Sequence, residues 1–373
     1  MAKSAVTRSP RHEMLYDIGM PTSTSTLKDI AIKQCNDIYD GVIIPANQPR
    51  EHTVLFIGSK GVGKTSLITR FLDREETPKS TLALEYTYGR KSRKSLVKDI
   101  CHIWELGGGS VLVPLLDAPL ASLTSLHNLS VVLMLDLSAP HHLWFTLETL
   151  LKAVLASVRK NAGSDMQSLQ EAAWNLVGMD HPDREFLDPF PVPLVILGGK
   201  YDKFQDFDPE KKKAVCRSLR YVAHTLGASL QFYSLKEPGL IKKAKDLLSY
   251  HGFGTSPIKS ISQDYNKPLI IPPGSDSMQQ IGGLGSVGMP PRNRNVAQNG
   301  PGAALEHWKH TFTTHFPQEA SEKNVMPEDP CKDLNYLEPV IDDLRMQKDE
   351  ELELYCREVE RRSKFRSDLD LDI

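Results

Sequence analysis

A chain of 373 residues with 45 lysines and arginines against 47 aspartates and glutamates carries a net charge of −2. That near-balance excludes the bulk basic field used to grip nucleic acid or an anionic membrane. A hydrophobic share of 40% suits one large or two smaller domains with some polar, unpacked stretches.

The cysteines, Cys35, Cys101, Cys216, Cys331 and Cys356, form no C-x-x-C pair. Their odd number argues against a disulfide framework, so a reducing compartment is expected. The first twenty residues hold no continuous apolar run of the kind a secretory signal uses. The longest apolar stretches, "LSVVLMLDL" and "VPLVILGG", are too short to span a bilayer. A soluble intracellular protein is expected.

Residues 1–50 read as an N-terminal extension. Within it, "STLKDIAIKQCNDIYDGVI" suits a short amphipathic helix with Leu27, Ile30, Ile32 and Ile38 on its apolar side. From Thr53 onward, short β-branched runs alternate with helical patterns. The runs are "TVLFIG", "LALEYTYG", "DICHIWEL", "LSVVLMLDL", "PLVILGGK" and "SLQFYSL". The helical patterns follow the first run and recur at 139–160 and 208–227. There Pro140 and Pro209 suit a first turn, Asp208 a cap, and Gly227 a terminator. Strands alternating with helices predict an α/β fold with a mainly parallel sheet flanked by helices, spanning residues 51–252. Residues 161–192 are an insertion with a helix and a proline-rich return. Residues 253–302, rich in Gly, Pro and Ser, read as a flexible linker. A C-terminal helical region, 303–373, follows. Its first helix puts Leu305, Trp308, Phe312 and Phe316 on one side. Its second, opened by Pro339, carries Ile341, Leu344, Leu352, Tyr355 and Val359 in a stripe that Lys348 interrupts. A charged, solvated helix explains that second pattern at least as well as a partner-binding one.

The most informative stretch is "FIGSKGVGKTS", in which Gly58 to Thr65 fit G-x-x-x-x-G-K-[S/T] without a mismatch. A strand precedes it and a helix follows, as a phosphate loop of the P-loop NTPase fold requires. Gly58, Ser59, Lys60, Gly61, Val62, Gly63, Lys64, Thr65 and Ser66 are therefore the candidate phosphate cradle. Lys64 supplies a point charge, and the Thr65 hydroxyl is a magnesium ligand.

Further fragments occupy the strand ends in the order of a Ras-like GTPase. Thr81, in "STLALEYTYG", stands where a second metal-contacting threonine belongs. "WELGGG" stands for D-x-x-G, with Glu105 in place of aspartate and Gly108 kept. "GGKYD" stands for N-K-x-D, so Lys200 would lie along a base and Asp202 would accept from guanine N1 and N2. "YSLK" brings Ser234 and Lys236 to the same place. The cofactor expectation is GTP or GDP with Mg2+, with a nucleotide-free site as the alternative.

The departures bear on turnover. Gly109 stands where GTPases keep a side chain that orients the attacking water. Glu105 is a methylene longer than aspartate and would crowd a magnesium water shell, and Gly199 removes the asparagine that braces the base site. A degenerate, non-catalytic GTPase fold is expected, with no catalytic residues. The adjacent His141 and His142 are not expected to form a metal pair, because neighbours on a helix do not share a face.

These motifs, with "TLALEYTYGR", "HIWELGGG", "FPVPLVILGGKYDKFQDFDPEKKK", "QDYNKPL" and "LRMQKDEELELY", resemble the light intermediate chains of cytoplasmic dynein, on the side of the ciliary form. The resemblance covers about residues 52–270 and returns at 340–355. It implies a non-catalytic motor subunit whose Ras-like domain rests on the tail of a cytoplasmic dynein 2 heavy chain beside other dynein 2 subunits. Microtubules and intraflagellar transport particles are implied as indirect partners, and retrograde intraflagellar transport and cilium assembly as the process. Neither nucleic acid nor membrane insertion is implied. The implied locations are the cytoplasm, axoneme, basal body or centrosome, cytoskeleton and Golgi region. The alternative is a GTPase switch turned over with the help of an activating protein.

Overall fold

The structure, a computed structural model, describes residues 50–92, 98–257, 260–282, 301–319 and 337–369. The helix expected within residues 25–43 lies outside them. Among the described residues, seven strands form one sheet: β1 (Glu51–Gly58), β2 (Leu84–Ser92), β3 (Lys98–Leu106), β4 (Leu129–Asp136), β5 (Leu194–Gly199), β6 (Ser229–Phe232) and β7 (Ile270–Ile271). Their order is β2-β3-β1-β4-β5-β6-β7. The interior pairs are parallel, while β2 runs antiparallel to β3 and β7 antiparallel to β6.

The two faces of β1 follow from the alternation of strand side chains. Val54 and Phe56 pack with Leu67, Ile68, Phe71, Leu247 and Leu248 on one side. That layer is α1 (Lys64–Phe71) and a helix the sequence reading did not single out, Pro238–Phe253. Leu55 and Ile57 pack on the other side with Leu143, Leu147, Leu219 and Val222, from α2 (Pro140–Ala162) and the helix Pro209–Thr225. The insertion helix is α3 (Met166–Val177), so Pro209–Thr225 is α4 and Pro238–Phe253 is α5. Asp208 caps α4 as expected, accepting from the Glu210 N–H at 3.2 Å, and Pro209 occupies its first turn.

Of the expected linker 253–302, residues 258–259 and 283–300 lie outside the described residues, and the stretch 260–282 packs on the sheet. Leu269, Ile270 and Ile271 are buried, and the turn Met278–Ile281 buries Ile281. Between them, Asp276 accepts from Nε and Nη2 of Arg220 on α4, at 2.8 and 2.6 Å. Polar composition concealed a strand edge held by few but fully buried aliphatic residues and one buried ion pair. Nor does the helix α6 (Pro301–His315) stand apart from the sheet domain. Trp308, Phe312 and Phe316 are buried in the same core as α2 and α4. Trp308 stacks on Tyr221 at 5.1 Å, and Phe312 lies 5.4 Å from Trp144. The last helix, α7 (Pro339–Leu369), is exposed at every described side chain.

Candidate functional site

The site lies at the carboxyl ends of the parallel strands, where β1 is flanked by β3 on one side and β4 on the other. The chain leaves the sheet in opposite directions at such a point, which opens a crevice for a ligand. Gly58 ends β1 with φ 145°, and a Cβ there would fall 2.0 Å from the Met134 carbonyl oxygen, so glycine alone fits. Gly61, at φ 68°, faces open space. At Gly61, therefore, no side chain would stand between the loop and a phosphate. Lys64 starts α1 and lies back over its own loop, donating to the carbonyls of Gly58 at 3.4 Å and Ser59 at 3.2 Å. Burial pushes its ammonium below the usual lysine range, against the opposing pull of Glu105.

The metal end is drawn together by side chains distant in sequence. The Thr65 hydroxyl donates to Glu105 Oε1 at 2.9 Å and lies 3.3 Å from the Thr81 hydroxyl. Thr81 donates to Glu85 Oε2 at 3.0 Å. Glu105 is buried, and burial raises its carboxyl above the usual range while Lys64 and the threonine hydroxyls oppose the shift. Glu105 reaches Thr65 directly, so its extra methylene is taken up in a hydrogen bond. A hydroxyl that donates its proton keeps lone pairs for a cation, so Thr65 and Thr81 fit the role of magnesium ligands. A Cβ on Gly109 would lie 3.5 Å from the Lys60 amide nitrogen, so this glycine stands beside the phosphate loop.

At the base end, Lys200 adopts the left-handed conformation, φ 58°, just after β5. Its Nζ donates to Asp136 Oδ2 at 2.6 Å. Ser234 Oγ donates to Asp202 Oδ1 at 2.9 Å, and Lys236 Nζ lies 2.8 Å from Oδ2. The Lys236 hydrogen bond, chiefly, holds the Asp202 carboxyl below the usual range. Each carboxylate oxygen accepts more than one hydrogen bond, so Asp202 retains capacity for two guanine N–H groups. At Gly199 a Cβ would come 2.7 Å from Val62 Cγ2, so Val62 would have to shift to admit an asparagine there.

The expected site residues, from Gly58–Ser66 through Thr81 to Lys200, Asp202 and Ser234, stand at the carboxyl ends of the parallel strands or beside them. Sequence reasoning missed Asp136, which anchors Lys200 and accepts from Ser138 at 2.9 and 2.6 Å. Its place at the carboxyl end of a buried strand is the signal that could have found it. Glu85 was also missed, and nothing in its spacing marked it.

Among the described residues, one group has metal-ligand chemistry outside this crevice: His181, Asp183 and His224. It is satisfied internally. The Asp183 amide donates to His181 Nδ1 at 3.1 Å, while Asp183 Oδ2 meets His224 Nε2 at 3.0 Å and the Met278 amide at 2.8 Å. These bonds fasten the insertion to α4. His142, for its part, faces Glu319 at 3.7 Å. Among the described residues no helix is long and apolar enough to cross a membrane.

Comparison with known proteins follows the same line. A family model described as Dynein light intermediate chain (DLIC) matches residues 44–170. The cytoplasmic dynein 2 light intermediate chain 1 of Mus musculus is 45% identical over 315 residues, which is 82% of this chain and 88% of that protein. The protein of that name from Danio rerio is 43% identical over 354 residues, 90% of this chain and 96% of its own. The Homo sapiens protein is 45% identical over 316 residues. The crystal structure of the dynein light intermediate chain's conserved domain aligns with a TM-score of 0.50 at 18% identity. It covers 75% of this chain and 95% of that one, a likeness of fold.

Proposed function

The chain belongs to the dynein light intermediate chain family, and we propose that it serves as the light intermediate subunit of a cytoplasmic dynein 2 motor. In this reading it is a non-catalytic subunit that binds and stabilises the heavy-chain tail. Force comes from the heavy chain, and the process served is retrograde intraflagellar transport and cilium assembly. The chain works in the cytoplasm and at the ciliary axoneme and basal body.

The observation that supports the reading most is the phosphate loop that opens α1, with a glycine, Gly109, beside it. The loop residues with Thr65, Thr81, Asp202 and Ser234 would hold GTP or GDP with magnesium. Bound nucleotide would supply phosphate charge for Lys64 and the loop amides, and a guanine edge for Asp202. The position beside Lys60 that should orient water is Gly109. The nucleotide is then a structural element, contributing stability in proportion to its occupancy.

Co-precipitation with a dynein 2 heavy-chain tail fragment tests the role. The wild type and a Lys64→Ala/Thr65→Ala double variant are both expected to be captured, and the purified chain should turn over GTP no faster than unassisted GTPases. Failure of the folded wild-type chain to bind the tail would refute the subunit role. Loss of capture only in the folded double variant would favour a nucleotide switch.

A further inference from the structure

In a nucleotide switch, the segment entering the second strand is held by contacts to the metal and the terminal phosphate, and is released when they go. Here the corresponding segment, exposed at Lys79, Ser80 and Leu82, is tied to the rest of the protein at Thr81 and Ala83. Thr81 donates its one hydroxyl proton to Glu85 at 3.0 Å and lies in contact with the Thr65 hydroxyl, 3.3 Å away. Thr65 is tied to Glu105 at 2.9 Å. The backbone adds a second constraint. The Gly107 N–H donates to the Ala83 carbonyl at 2.6 Å, and a Cβ on Gly107 would fall 2.4 Å from the Thr81 carbonyl oxygen. Pairing with β3 begins immediately afterwards, with Leu84 opposite Leu106 and Glu85 opposite Glu105. Thr81 cannot swing away without disturbing the first rungs of that ladder.

Glu105 is the hub of this arrangement. It is 5% exposed, and a buried carboxylate needs hydrogen-bond donors and a nearby positive charge. Thr65 and Lys64 supply them from the first turn of α1, while the strand carrying Glu105 also pairs with the segment that must be held. We infer that Glu105 is a positioning residue that, through Thr65, holds Thr81 and residues 79–84 in one place with or without nucleotide. The inference rests on the reading of the crevice as a static element and extends it to the residue responsible.

Hydrogen exchange on the full-length chain tests it, in nucleotide-free protein, with GDP and Mg2+, and with a non-hydrolysable GTP analogue and Mg2+. Amides of residues 79–84 should change by less than about twofold among the three states in the wild type. Glu105→Ala should speed their exchange by about tenfold or more while the β4 and β5 amides keep their protection. Glu105→Gln, which keeps an acceptor oxygen for Thr65, should restore most of the protection. The comparison of these variants with wild type in nucleotide-free protein decides the matter even where nucleotide binds weakly.

A change above about tenfold between the GDP and GTP-analogue states of the wild type would overturn the inference. So would a Glu105→Ala protein in which residues 79–84 exchange as in wild type, or in which the whole sheet loosens equally. Capture by the heavy-chain tail is a separate measurement. A chain that docks but whose segment switches refutes the positioning role and leaves the subunit role standing.

Discussion

The two helices near the carboxyl end, α6 and α7, look alike in sequence and have opposite fates. Each opens with proline and carries apolar residues three or four apart. In α6 the stripe is Leu305, Trp308, Phe312 and Phe316, and its three aromatic residues are at most 4% exposed. In α7, Ile341, Leu344, Leu352 and Tyr355 are all more than half exposed. The difference lies in what receives them. The α6 stripe meets Tyr221 and Trp144, offered by α4 and α2, and Lys309 adds an ion pair to Glu148 at 2.8 Å. The α7 stripe is broken by Lys348, and that helix is supported by local pairs along itself. These are Lys348–Glu351, Glu353–Arg357 and Glu358–Arg362 at 2.6, 3.0 and 2.5 Å. A periodic apolar stripe therefore reports a helix, and only the receiving surface reports burial.

Truncation should break the comparison most strongly. Ending the chain at residue 300 removes three buried aromatic side chains, each worth about 3–5 kcal/mol when replaced by alanine. The sum rivals the whole stability of a typical domain, about 5–15 kcal/mol. Loss of the cooperative melting transition is expected, whereas ending the chain at residue 337 should move Tm by less than about 2 °C. Calorimetry of the two shortened chains checks this; equal melting behaviour would mean that α6 does not belong to the core.

Single substitutions sharpen the same contrast. Phe312→Ala should destabilise by about 3–5 kcal/mol, and Leu352→Ala on α7 by no more than about 0.5 kcal/mol, both read from urea unfolding.

Acid probes the packed region through His251 on α5. Its Nδ1 meets Ser130 Oγ at 3.1 Å, its Nε2 has no partner, and burial, aided by His52, lowers its pKa to about 4. The unfolded chain takes up this proton near pH 6.5 and the folded chain only near pH 4. The stabilising contribution is therefore complete above pH 6.5 and is lost as pH falls through that window. The shift corresponds to about 3 kcal/mol. Melting curves between pH 7 and 4 should show the fall, and His251→Gln should flatten that part of the profile.

The smallest expected effect is on α7. Arg357→Ala removes an exposed pair worth about 0.3–0.5 kcal/mol. A slight loss of helicity by circular dichroism, with Tm unchanged, is the expected result.

Much of the crevice was legible because its chemistry is local. Gly58 to Thr65 carry backbone and charge requirements within one turn of chain, and each later fragment sits at a strand end that periodicity marks. What escaped was held by long-range contact. Asp136 acts through Lys200, 64 residues away, and Glu85 matters only because β2 folds back along β3. Residues 253–302 read as a linker because Gly, Pro and Ser dominate the count. Leu269 to Ile271, a few apolar residues, suffice to add an edge strand to an existing sheet.

By itself the sequence determined the alternation of strands and helices, the phosphate loop, and the absence of a side chain at Gly109 to orient water, since these depend on residue type and short spacing. Only the tertiary structure decided which C-terminal helix enters the core, how Glu105 bridges to Thr65, and that Val62 crowds the position of Gly199. Each of these depends on what a distant segment presents at a distance of a few ångströms. Hydrophobic and hydrogen-bonding energies are realised only when both partners have arrived.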